Sequence, residues 1–305
     1  MASDPSRAQV LRQLLSGAQL PALPQSAIRV LDLARDPENG PAEYAIPIES
    51  EPGLASQVLR FVNSSYFGFA REIASVKLAI TLVGIRTIKN FVLWSAVYNM
   101  LPNPRCGELD VGKLWQDSLR RGLFARALAK VIGLRDTEGP FAAALLQDMA
   151  IPLLAKALPL EYARLLEQRQ GGAVRLSTLE RDRFGWSHAD AAGQIAEQWN
   201  LPPEFAVLME RHIHWEKLHE GDAMDPEQVV VTMSCLMPAS VDQTWVEQSQ
   251  FEEIYHERSG PGAPPVGDLL ALIDDQFREF APTLRLSSAT RPLVGYCDAT
   301  ASAVR

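Results

Sequence analysis

Apolar residues recur at three- and four-residue spacing along nearly the whole 305-residue chain, and no stretch alternates in the manner of a strand. That periodicity confines the chain to an all-α architecture, a bundle of many helices. Leu11, Leu14 and Leu15 set an apolar stripe on a first helix. Ile28, Leu31 and Ala34 set one on a second, which stops at Asp36-Pro37. Leu54, Val58, Leu59 and Val62 follow behind Pro52, where a missing N–H costs little. Val76, Ile80 and Val83 make a short helix, and Gly84 separates it from a longer one with Ile85, Ile88, Val92, Ala96, Val97 and Met100.

The segment Pro102-Asn103-Pro104-Arg105-Cys106-Gly107 admits no helix, because each proline removes a donor and restricts its predecessor. It divides an N-terminal helical subdomain, residues 1–101, from a second, residues 102–240, and residues 241–305 read as a C-terminal helical extension. Asp110 is the expected N-cap of a helix whose small residues Ser118, Gly122 and Ala125 let another helix approach closely. Further helices are expected over about 139–156, 160–169, 204–215, 226–237 and 266–280. Ser187 and Asp190 have the spacing of a capping box for another, with Ala191, Ile195 and Trp199 along it. Trp245, Phe251 and Tyr255 either pack the extension back onto the bundle or form a dimer or partner surface.

Composition bounds the function. With 37 acidic against 29 basic residues and a net charge of −8, nothing neutralises phosphates in bulk, so direct nucleic-acid binding is not expected. The opening MASDPSRAQV has no apolar core of a signal peptide, and the run Phe91–Leu101 is short of the roughly 20 residues of a membrane span. Cys106, Cys235 and Cys297 are odd in number and far apart, which reads as free thiols in a reducing cytoplasm.

No phosphate loop, dinucleotide fingerprint, HExxH or GxSxG motif is present. The pairs Glu252-Glu253 and Asp274-Asp275 read as solvated faces, since neighbours on a helix point about 100° apart. Gln147-Asp148 interrupts the apolar stretch Phe141–Ile151. A carboxylate there either ligates a metal or bridges helices in the core. His188 follows an N-cap, where the helix dipole favours a neutral imidazole. Of His212 and His214, His212 is expected to face inward, while His219 and His256 read as exposed.

Leu20-Pro21-Ala22-Leu23-Pro24, Glu51-Pro52-Gly53-Leu54, Leu59-Arg60-Phe61-Val62-Asn63-Ser64, Ile73-Ala74-Ser75-Val76 and Ala79-Ile80-Thr81-Leu82-Val83-Gly84 occur in an order that resembles HDOD, the HD-related output domain of bacterial signalling proteins. Trp115-Gln116-Asp117-Ser118, Leu145-Leu146-Gln147-Asp148, Ser187-His188-Ala189, Trp199-Asn200-Leu201-Pro202 and Arg211-His212 extend the resemblance over roughly residues 18–240. Glu51 stands for the family's usual Asp, and Pro47 falls where the family continues a helix, so a kinked or shortened helix is expected. Asn63 and Ser64 end an apolar helix. Their side chains suit the turn itself, with a binding role as the other reading.

The resemblance implies an all-helical HD-like fold, related to metal phosphohydrolases that hold metals with a His, a His-Asp pair and further ligands. Carried over, the first His falls on Asp117 and the His of the pair on Gln147. Asp148 is retained, and the downstream histidines fall on His188 and His212. An amide is a weak ligand beside imidazole. No metal and no cofactor are therefore expected, and the resemblance implies a non-catalytic regulatory module acting through protein–protein contacts with a signalling partner, with a homodimer as a further form. Two alternatives stand beside it. One is a metal-dependent phosphohydrolase acting on a nucleotide. The other is a receptor for a cyclic dinucleotide, held in a pocket between the two subdomains, with Arg120-Arg121 and Arg181/Arg183 as phosphate candidates.

Overall fold

The computed structural model describes residues 5–17, 20–218 and 224–297, and His219 lies outside them. Among the described residues there are sixteen α-helices, two short 3-10 turns and no strand, so the protein is all-α. The chain forms two compact units: residues 21–100 with 276–288 make the smaller, and the described parts of 1–20, 101–275 and 289–305 make the larger. In order, α1 (Pro5–Gly17) belongs to the larger unit, and α2 (Gln25–Leu33), α3 (Pro41–Glu49), α4 (Pro52–Val62), α5 (Val76–Val83) and α6 (Ile85–Met100) to the smaller. Then α7 (Val111–Val131), α8 (Glu138–Leu146), α9 (Ala150–Ala157), α10 (Pro159–Gln168), α11 (Leu176–Phe184), α12 (His188–Gln198), α13 (Pro203–Arg211), α14 (Pro226–Ser234) and α15 (Gln248–Ser259) belong to the larger. The last helix, α16 (Val266–Thr283), belongs to the larger unit through Asp275 and to the smaller from Gln276.

In the smaller unit Pro41 and Pro52 open α3 and α4, and α3 carries Pro47 inside it and ends two residues later. The Leu78 N–H donates to the Ser75 hydroxyl at 3.3 Å and caps α5. Gly84 then turns the chain into α6 at φ 94°, where a side chain would be strained. The apolar run is the body of α6, buried from Phe91 to Val97, and Phe61 stacks on Phe91 at 4.2 Å. Among the described residues no helix is long and apolar enough to cross a membrane. The buried face of α2 is Ser26, Ala27 and Val30 rather than the expected Ile28–Leu31–Ala34 stripe. Ser26 donates to Glu51 at 2.6 Å, which turns the polar residue inward and rotates the helix accordingly.

Asn63 explains the motif around it. Its amide donates to the Leu59 carbonyl at 2.9 Å and to the Ile73 carbonyl at 2.8 Å, and its oxygen accepts the Ile73 N–H at 2.7 Å. One side chain thus holds both backbone groups of Ile73 and fixes the loop between α4 and α5. Ser64 donates to the Phe61 carbonyl at 2.7 Å. These bonds use both amide hydrogens and one oxygen lone pair of Asn63 for the turn itself.

In the larger unit Asp110 accepts the Lys113 N–H at 3.0 Å and starts α7. A Cβ at Gly122 would meet the Phe141 carbonyl at 3.1 Å and Leu145 Cβ at 3.2 Å, so glycine lets α7 and α8 touch. The single helix expected over 139–156 is two, broken at Gln147–Met149. The cause is Pro152, which has no N–H for the Asp148 carbonyl and whose ring would strike it. The helix expected to reach 215 stops at Arg211, because the His212 ring takes the Met209 carbonyl at 2.6 Å that the next helical N–H would have used. The helix expected to reach 237 likewise ends at Ser234 and tightens, with the Cys235 N–H on the Thr232 carbonyl.

Residues past 240 divide between the units. Trp245, Phe251 and Tyr255 are buried, the Trp245 indole donates to the Leu236 carbonyl at 2.7 Å, and Phe251 lies 5.3 Å from Phe124. The segment carrying them therefore packs into the larger unit's core. Asp274 corrects the expectation of a solvated acidic face. It is buried, pairs with Arg120 at 3.5 Å and accepts the N–H groups of Leu293 and Val294 at 3.0 and 3.2 Å. Asp275, next to it, belongs to a different helical face.

Candidate functional site

The break between α8 and α9 puts Asp148 inside the larger unit, where four other elements meet it. α7 supplies Asp117 and Arg121, one turn apart on a shared face. α11 supplies Glu180. The Ser187–Asp190 capping box, with the Ser187 N–H and hydroxyl both on Asp190 at 2.7 Å, fixes the start of α12 and so the place of His188. His212 enters from the residue after α13.

Asp148 Oδ2 accepts the Arg121 guanidinium, and Asp148 Oδ1 lies 3.3 Å from His188 Nε2 and 3.6 Å from His212 Nε2. One ligand atom each from Asp148, His188 and His212 lies within 4.8 Å of the others, and all three residues are buried. Each imidazole is anchored from behind. His188 Nδ1 is 2.6 Å from Glu180 Oε2, which also accepts the His188 N–H at 2.8 Å. Tyr162 donates to the other Glu180 oxygen at 2.6 Å. His212 Nδ1 donates to the Met209 carbonyl at 2.6 Å.

The charges follow from this packing. Burial alone would lower the His188 pKa, but Glu180 and Asp148 outweigh it and push it up to about 10. His188 is therefore an imidazolium, not the neutral ring expected from the helix dipole alone, because two carboxylates outweigh a partial charge. Burial lowers His212, which stays neutral. Burial would raise Asp148, but Arg121, His188 and His212 hold it well below the usual carboxylate range. Asp117 is raised by burial despite Arg121 and Ser240 nearby.

The other carried-over positions are occupied differently. The Ser240 N–H lies 2.9 and 3.0 Å from the two Asp117 oxygens, and its hydroxyl donates to Asp117 as well. Gln147 is fully buried, and its side-chain oxygen accepts the Ser234 hydroxyl at 3.2 Å. Asp117 lies outside the Asp148–His188–His212 group. His212 is the inward histidine, His214 is half-buried beside Arg181, and His256 is exposed. Asn63 and Ser64 lie in the other unit and serve the turn described above.

The side chains border a cavity of about 140 Å³ within the larger unit, room for on the order of ten waters. Three arginines reach it, each with a carboxylate: Arg121 with Asp148, Arg169 with Asp242 at 2.7 Å, and Arg175 with Glu247 at 2.8 Å. Arg120, Arg181 and Arg183 do not border it. Glu180, Tyr162, Ser240, Arg169 and Arg175 were not singled out by sequence as partners of the site, and Arg121 only as a phosphate candidate. The one local signal was the four-residue spacing of Asp117 and Arg121.

Donor chemistry and anchoring match what a divalent cation asks for: two imidazoles with their Nδ1 sides held by a carboxylate and a carbonyl, plus one carboxylate. The charge balance does not. Asp148 already carries the Arg121 guanidinium, a permanent positive charge beside the oxygen that faces both imidazoles. The residues as arranged do not fit a metal ion.

Residues 20–215 match the HDOD domain family. The fold is similar to a solved structure of a candidate phosphohydrolase from Shewanella amazonensis SB2B, at 20% identity and a TM-score of 0.68, covering 89% of this chain and 97% of that one. It is also similar to an HDOD domain protein with unknown function from Geobacter sulfurreducens, at 18% identity and a TM-score of 0.63, covering 98% and 94%. A candidate signal transduction protein from Marinobacter aquaeolei VT8 matches at 20% identity and a TM-score of 0.62, covering 93% and 65%. An uncharacterised protein of Treponema pallidum is 23% identical over 240 residues, and the match spans 77% of this chain but only 44% of that relative's length. With the family match covering most of its length, the chain belongs to the HDOD domain family.

Proposed function

We propose that this chain is a non-catalytic regulatory module in bacterial signal transduction, acting through contacts with a protein partner. The observation that carries the reading is the engagement of Asp117 and Gln147. At the two positions where the resemblance calls for imidazoles, one side chain holds Ser240 and the other Ser234. The donor set left is three side chains whose charges are already balanced by Arg121 and Glu180. Metal-assisted hydrolysis needs a bound ion that activates a water; the cavity leaves room for water, but the Arg121 guanidinium already neutralises Asp148. The description of the Marinobacter relative as a signal transduction protein agrees with the reading. The test is hydrolysis of bis(p-nitrophenyl) phosphate and of cyclic dinucleotides with added Mn²⁺ or Mg²⁺. No turnover is expected, and turnover abolished by Asp148→Ala would overturn the proposal.

A second reading, a receptor for a small ligand, is favoured by the cavity and its three arginines. At about 140 Å³ the cavity is below the roughly 300–1,000 Å³ of pockets that enclose drug-sized ligands, which argues against a fully enclosed dinucleotide. A thermal-shift panel of nucleotides separates the two readings, since a ligand bound only to the native state raises Tm.

A further inference from the structure

We infer that Arg121 is a resident cation in a metal-type cradle: its guanidinium supplies Asp148 with the positive charge a divalent ion would bring, and removing it turns Asp148, His188 and His212 into a divalent-cation site. The inference rests on the non-catalytic reading above, and it assigns Arg121 a role that reading does not need.

Three observations point the same way. The first is convergence: Asp148 Oδ1, His188 Nε2 and His212 Nε2 are aimed at one another, with 3.3 and 3.6 Å separating the imidazoles from the carboxylate. The second is anchoring. A histidine that ligates a metal through Nε2 donates its Nδ1–H to an acceptor, which fixes the ring. Both rings here are held in that way, His188 by Glu180 and His212 by the Met209 carbonyl. The third is the location of the Arg121 guanidinium, a permanent cation. Arg121 takes Asp148 Oδ2, the oxygen that the imidazoles leave free, and it does so from a helix whose Asp117 lies one turn away.

A guanidinium cannot be deprotonated at any accessible pH. It therefore repels an incoming divalent ion permanently, in a buried site where such repulsion is little screened. A neutral side chain of similar length removes that repulsion and leaves Asp148 in need of a cation. The anchored rings are then already placed to share one, which enters as the His188 Nε2 proton leaves to solvent.

Arg121→Met is the informative variant, since it keeps the stem and drops the charge. The full chain is treated with EDTA and titrated with Co²⁺, following the visible d–d absorption, the stoichiometry and Tm. The wild type is expected to bind none. Arg121→Met is expected to melt lower than wild type without metal, to bind one Co²⁺ per chain, and to gain roughly 5–10 °C at about a hundredfold excess over Kd. Arg121→Lys, which keeps the charge, is expected to behave as wild type, and Arg121→Met with His212→Ala to lose the Co²⁺ band. A folded Arg121→Met that binds no Co²⁺ overturns the inference and leaves the non-catalytic reading standing. Wild type that binds Co²⁺ as tightly as the variant also overturns it, and the hydrolysis assay then judges the non-catalytic reading separately. If Arg121→Met does not fold alone, it and Arg121→Gln are refolded with and without Co²⁺. Recovery only with the metal supports the inference, and no recovery of either overturns it.

Discussion

The Asn63 clasp of the smaller unit and the Asp148 network of the larger unit are both built from polar side chains, but they close over very different lengths of chain. Asn63 reaches Ile73, ten residues away, and ends at backbone groups that are partly open to water. Asp148 is met by Arg121, His188 and His212, and its neighbour Asp117 by Ser240, 123 residues further along. The clasp is a local device that any chain with those residues in order can form. The network exists only once five elements have packed, and Asp148, Glu180, His188 and His212 are all buried in it. Losing one member therefore strands the rest, whereas losing the clasp returns two backbone groups to solvent.

That difference sets the expected sizes of the effects. Asp148→Ala leaves Arg121 and the His188 imidazolium buried without their carboxylate, and a loss of about 3–5 kcal/mol is expected in urea unfolding. A loss below that of Asn63→Ala would erase the contrast between the two regions.

Titration weakens the same network more gently. The folded pKa of His188 is raised from 6.5 to about 10. Its contribution is thus complete below pH 6.5 and is lost as the pH rises toward 10. Asp148 is depressed below its ordinary 3.8, so its contribution holds above that value and is lost as the pH falls below it. The network is expected to contribute most between about pH 4 and 6.5. His188→Asn should flatten the alkaline fall in the unfolding midpoint, and Asn63→Ala should leave its shape unchanged. An unchanged alkaline limb in His188→Asn would count against the charged network.

Asn63→Ala itself is expected to cost about 1–3 kcal/mol, because the Ile73 N–H and C=O lose their partner together. Limited proteolysis between α4 and α5 should rise with it, and intact resistance there would reduce the clasp to an ordinary surface bond. The smallest effect belongs to Ser75→Ala, which removes only the α5 cap and is expected to cost about 1 kcal/mol.

Local devices were legible in the sequence because their partners are close by. The caps at Asp110 and Ser187, the break at Gly84, the close approach at Gly122 and the turn at Asn63-Ser64 all rest on spacings of a few residues. So does the all-α architecture, which follows from the three- and four-residue period. Where helices end was less legible, because competition decided it: Pro152 against the Asp148 carbonyl, and the His212 ring against a helical N–H. Asp274 reads as one of two surface acids until Arg120 is seen to be its partner, 154 residues away.

The sequence by itself determined that the chain is helical, which motifs punctuate it, and that the resemblance's two imidazoles are absent at Asp117 and Gln147. Only the tertiary structure decided what the remaining groups do. Asp148 is a carboxylate that takes either a metal or a counter-charge, and the choice depends on which side chain reaches it. Arg121 does, from another helix, and no spacing along the chain records that a guanidinium holds the carboxylate oxygen beside the one the imidazoles face.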